Sequence, residues 1–100
     1  MSTALDVNAL HNDPMQIRVM SSTGQAYSFL RSSVEVRLWR DADTWLIDLS
    51  DANGNLHSVG FYARRSDAMA VHSSFLASLA SEHNFFQFPE TSHKLTITVH

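Results

Sequence analysis

Val34-Glu-Val-Arg-Leu-Trp39, Thr44-Trp-Leu-Ile-Asp-Leu49 and Leu56-His-Ser-Val-Gly-Phe-Tyr62 are three short runs rich in branched and aromatic side chains. Turn-forming residues separate them, the pattern of consecutive antiparallel strands. A two-residue loop at Ala42-Asp43 pairs Arg40 with Trp45, Leu38 with Ile47 and Val36 with Leu49. Their apolar side chains then share one face, as a half-buried antiparallel sheet requires. On the other face Arg37 lies across from Asp48 and Trp39 across from Leu46, an opposite-charge pair and an apolar pair that both favour this register. Slipping the strands by one residue spoils both faces.

The next turn holds Asn53-Gly54, a strong hairpin signal. Closing it with Ser50 opposite Leu56 pairs Leu49 with His57, Ile47 with Val59 and Trp45 with Phe61, and sets Gly60 opposite Leu46 on the second face. Residues 34–62 therefore read as a meander. Past it, Ser66 has the chemistry of a helix N-cap, and Asp67 suits the positive end of a helix dipole. Ala68, Val71, Phe75, Leu76, Leu79 and Ala80 recur at helical spacing, with Ser73, Ser74, Ser78 and Ser81 on the other side. One main helix over 66–82, closed near Asn84, should cover the apolar sheet face.

Outward from this unit the signals are simpler. Residues 1–14 form a loose lead-in that ends in Asn12-Asp13-Pro14, with Leu5, Val7 and Leu10 available to dock. Met15 to Ser21 alternates with period two, Met15, Ile17 and Val19 facing one way, and Ala26 to Arg31 returns after a turn at Gly24. Ser32-Ser33 reads either as a turn or as a bend in one long strand. Phe85, Phe86 and Phe88 follow the helix and should pack under the edge of the core. Lys94 to Val99 alternates cleanly and reads as a C-terminal strand over 94–99. The expectation is an α+β domain spanning 15–100, with an antiparallel sheet of about five to six strands and one helix on one face.

Composition narrows the chemistry. One hundred residues, 44% of them apolar, suit a single domain with one core. The absence of cysteine removes disulfides and thiolate chemistry and fits a cytoplasmic setting. No apolar run approaches the length of a membrane span, and the first residues lack a signal-peptide pattern. Seven basic residues against ten acidic ones, a net charge of −3, argue against binding to phosphate backbones.

Six histidines invite a metal hypothesis. His72 and His83, eleven residues apart on a helix, lie roughly 16 Å apart along its axis and cannot share an ion. His11, His93 and His100 fall in loops or termini. His57 on the core face could meet His72 from the helix, the one pairing from which a small enzyme could be built, but a packed histidine is the simpler reading. Glycine-rich phosphate loops, serine elbows and calcium loops are all missing, and Asp41, Asp43, Asp48 and Asp51 cluster at hairpin ends where turns favour aspartate. Arg64 and Arg65 precede the helix and could hold an anion, although Asp67 already occupies the dipole end.

The second sheet face carries the strongest functional signal. Trp39, Arg37, Leu46, Asp48 and Tyr62 would stand there together, a composition found at protein-contact hot spots. The resulting expectation is a small, non-enzymatic protein-binding domain without cofactor or metal, whose partner is a host factor or a second copy in a homodimer. Small acidic domains of this kind occur among phage and mobile-element accessory proteins, an association by composition only. The alternative from another class is stacking of single-stranded nucleic acid on Trp39, Arg37 and Tyr62.

Overall fold

The computed structural model describes residues 15–81 and 83–90. The lead-in 1–14, the strand expected at 94–99, and His11, His93 and His100 lie outside the described residues.

Among the described residues six strands and one helix follow in order: β1 (Gln16–Met20), β2 (Ala26–Leu30), β3 (Glu35–Asp41), β4 (Thr44–Ser50), β5 (Leu56–Tyr62), α1 (Arg65–Ala80) and β6 (Phe85–Gln87). The chain is α+β, but the described strands form two sheets of three rather than one sheet of five to six: β2-β1-β6 and β3-β4-β5. The division occurs at Ser32-Ser33. Ser33 and Val34 both donate N–H groups to the Leu30 carbonyl, at 3.2 and 3.0 Å, so the segment is a true turn and β2 does not run on into β3.

The β3–β4 hairpin has the register its side-chain pattern predicts, from Glu35 opposite Ser50 to Asp41 opposite Thr44. Ala42 sits at φ 55°, the positive φ that a two-residue hairpin loop demands of its first residue. In the second hairpin Asp51 replaces missing backbone partners. Its Oδ1 accepts the N–H groups of Asn53 and Asn55, at 2.9 and 3.0 Å, while Gly54 takes φ 85°.

The β4–β5 pairing departs from the expectation. Leu49 faces His57 and Asp48 faces Ser58, but Ile47 faces Gly60, Leu46 faces Phe61 and Trp45 faces Tyr62. Val59 is the extra residue of a β-bulge, which turns everything after it to the opposite face. The carbonyl of Val59 accepts the Ser22 N–H at 2.8 Å, tying the bulge to the end of β1. Gly60 consequently faces the core, where a Cβ would lie 2.7 Å from the Tyr62 ring and 3.4 Å from Ile47 and Phe88.

Both sheets and the helix close one core. Ile17, Val19 and Phe29 from the first sheet meet Ile47, Leu49, Val59 and Tyr62 from the second and Ala68 and Phe75 from α1. The helix begins at Arg65, with Arg64 as an extended cap residue that makes no side-chain bond. Ser66, expected to cap, lies inside the first turn; Asp67 is there as expected. Ser78 is buried whereas Leu76 is exposed, the reverse of the predicted stripe. Beside the helix Phe75, Phe86 and Phe88 form an aromatic cluster, with ring centroids 4.8–5.3 Å apart. Arg31 reaches the helix end and donates Nη1 to the carbonyls of Ser78 and Leu79, at 3.4 and 3.1 Å, where the dipole favours a cation.

Phe86 packs against the core edge, as expected, but Phe88 goes further and is a fully buried member of the core, and both belong to or follow a strand. β6 runs parallel to β1, with Arg18 opposite Phe85 and Val19 opposite Phe86. Phe85 remains 52% exposed, and Met15 does not join Ile17 and Val19 inside. Because Gly60 is packed beneath Phe88 and Tyr62, Gly60→Ala should destabilise the fold by about 1–3 kcal/mol, the range for overpacking a core. Urea unfolding of the two proteins measures this directly.

Candidate functional site

On the sheet face turned away from α1, three rows run across β3, β4 and β5. Pairing sets Trp39, Leu46 and Phe61 in the first, Arg37, Asp48 and Ser58 in the second, and Glu35, Ser50 and Leu56 in the third. Alternation along β3 and β4 sends Val36, Leu38, Trp45, Ile47 and Leu49 to the helix side and leaves these residues opposite.

Trp39 is fixed in place. Its Nε1–H donates to Asp48 Oδ2 at 2.7 Å, and Ser58 Oγ donates to Asp48 Oδ1 at 2.7 Å. Asp48 is only 3% exposed, so both carboxylate oxygens are engaged by neighbours on adjacent strands. The Arg37 guanidinium lies 5.3 Å from the Trp39 ring centroid, and the indole mediates between the cross-strand cation and carboxylate. Leu46 is 9% exposed, flanked by Trp39 and half-buried Phe61, while Leu56 one end of the face over is 51% exposed. The face therefore presents one immobilised indole, two further apolar side chains and an exposed arginine.

Tyr62 does not belong to this face. The bulge turns it inward, where it is buried and donates its hydroxyl to the Pro89 carbonyl at 3.0 Å. Phe61 takes the outward position. The isolated glycine at position 60 in a strand was the available signal for a bulge. Of the three side chains proposed as a stacking platform for nucleic acid, Trp39 and Arg37 remain on the surface.

Arg64 and Arg65 are exposed at the start of α1, and the guanidinium groups of Arg65 and Arg40 each lie 5.9 Å from the Trp45 ring centroid. His57 meets Asp51, with Nε2 3.1 Å from Oδ2, and packs against the rings of Tyr27 and Phe29 at 5.2 and 5.7 Å. The hydrogen bond with His57, then that from the Asn55 N–H, holds the Asp51 carboxyl below its ordinary value. His72 is half-buried midway along α1. Among the described residues no three His, Cys, Asp or Glu side chains gather into a metal-holding group, and no helix is long and apolar enough to cross a membrane. A shallow groove between the end of α1 and β6 is lined by Ser74, Ala77, Ser81, His83, Phe85 and Gln87.

No known protein family, curated protein or solved structure matches the chain.

Two outcomes follow from the local chemistry. Asp48→Ala strands the Trp39 and Ser58 donors and should cost about 1–3 kcal/mol in urea unfolding, with Asp48→Asn retaining part of the loss. Burial, and then the charge of Asp67, pushes the Tyr62 phenol above its ordinary value of 10.0. The unfolded chain ionises first, so this stabilisation is complete below pH about 10 and falls as pH rises beyond it. Unfolding midpoints from pH 8 to 11 should drop more steeply for the native chain than for Tyr62→Phe.

Proposed function

We propose that this chain is a non-enzymatic protein-binding domain whose contact surface is the face of β3, β4 and β5 turned away from α1. The observation that carries the reading is the row Trp39–Leu46–Phe61, with its indole already held by Asp48. A contact residue locked in one orientation loses little freedom on binding, and large aromatic side chains beside an arginine supply most of the energy at protein interfaces. A sheet face that combines apolar side chains with half-buried aromatics is also the kind of surface that soluble domains use for partners.

The occupant is a protein of the cell in which the chain acts, in keeping with an accessory factor that binds and blocks a target, and the setting is cytoplasmic. Nucleic acid is the weaker reading, because the net charge of −3 opposes it and Tyr62 is not on the surface.

The test is affinity capture from the native cell lysate with three baits: the native chain, Phe61→Asp, and Leu30→Asp, which alters an exposed residue on the other sheet. A partner captured by the first and third baits and lost from the second supports the proposal, provided that circular dichroism shows all three folded. Retention of every captured protein by folded Phe61→Asp overturns it.

A further inference from the structure

We infer that the outer edge of β3 is a self-recognition strand, on which a second copy of this chain docks antiparallel across a two-fold axis at Trp39. The inference goes beyond the open-face reading, since it uses the main chain of β3 and needs no foreign partner.

The geometry begins with the hairpin. Asp41 and Thr44 close the two-residue loop, so they form a hydrogen-bonded pair, and the alternation of antiparallel pairing follows from them. Trp39, Arg37 and Glu35 point their backbone groups at β4. Arg40, Leu38 and Val36 point theirs outward. Among the described residues β3 ends its sheet, and these outward N–H and C=O groups have no partner there. An edge of seven residues with free donors and acceptors is a template for another strand.

Side chains then select the partner and the register. Facing away from α1, β3 carries Glu35, Arg37, Trp39 and Asp41, and the stretch from Arg37 to Asp41 complements its own reverse in charge, while Glu35 falls opposite the loop residue Asp43 beyond the end of the strand. With Trp39 opposite its own copy, each Arg37 stands across from Asp41 of the second copy. Both contacts fall at non-hydrogen-bonded positions, where opposing side chains approach most closely. In the same register Leu38 and Arg40 exchange main-chain hydrogen bonds across the axis.

Neighbouring two-fold registers are worse. Centring on Leu38 sets Glu35 against Asp41 twice, and centring on Arg37 sets the two guanidinium groups against each other. The net charge of −3 on each copy opposes approach only at long range and is screened by salt, whereas the paired charges meet directly. A two-fold contact of this kind joins two β3-β4-β5 sheets into one of six strands and closes on itself.

Sedimentation equilibrium over a concentration series tests the pairing through its charges. The native chain should reach twice the 11.2 kDa monomer mass. Arg37→Asp and Asp41→Arg should each weaken self-association by roughly tenfold or more, since each converts both symmetric contacts from attraction to repulsion. Mixed together, the two single variants should associate again, because every contact in the mixed pair is then of opposite sign. Phe61→Asp should self-associate as the native chain does. A native chain that stays monomeric overturns the inference, as do single variants that dimerise normally. Failure of the mixture to recover overturns it too, with folding of each variant confirmed by circular dichroism. Loss of the dimer in Phe61→Asp alone would also overturn edge pairing, while leaving the open face as the contact surface.

Discussion

The fold hangs on a single extra residue in β5. If Val59 paired in regular alternation, Phe61 would enter the core and Tyr62 would stand on the surface. The bulge instead gives the Val59 carbonyl to the Ser22 N–H, linking the second sheet to the first where no strand ladder among the described residues joins them. It also turns the residue without a side chain toward the core at the point where Phe88 arrives. A bulge costs one ladder position and is kept where it redirects side chains. Here it redirects three: Gly60 and Tyr62 inward, Phe61 outward.

From that redirection comes the character of the two sheet faces. The inner face takes a buried phenol whose hydroxyl has a backbone acceptor, so its polar end costs little. The outer face gains an aromatic ring in line with Leu46 and Trp39. What keeps such a face ordered is polar rather than apolar: Asp48, nearly buried, satisfies the indole N–H from one neighbouring strand and a hydroxyl from the other. A buried carboxylate with both oxygens occupied constrains its neighbours more narrowly than a leucine would, because hydrogen bonds have direction and apolar contacts do not. The open face and the β3 edge meet at Trp39, whose side chain belongs to one and whose position in the strand belongs to the other.

Charge placement limits the hazards of this arrangement. Glu35, Arg37 and Asp41 alternate along β3 on the outer face, so indiscriminate pairing with other strands sets like charges or unpaired charges against each other. The proposed pairing of β3 with a second copy is the exception, because each Arg37 then meets an Asp41. Elsewhere Arg31 serves the fold, spanning from the end of β2 to the last turn of α1.

The amino-acid sequence alone determined what is local. The β3–β4 register was legible because both strands lie within about twenty residues and their two faces differ in polarity, so one alignment satisfies charge and apolar pairs together. The position of α1 and Asp67 in its first turn were legible for the same reason, as was the side of the sheet on which Trp39, Arg37, Leu46 and Asp48 lie, but not that Leu46 and Asp48 are nearly buried there. Only the tertiary structure decided the rest: the bulge at Val59, the inward turn of Tyr62, the burial of Ser78, and the parallel pairing of β6 with β1. Each depends on groups far apart in the chain, such as Ser22 with Val59 or Arg18 with Asn84, and a contact between distant residues leaves no periodic trace in the order of side chains.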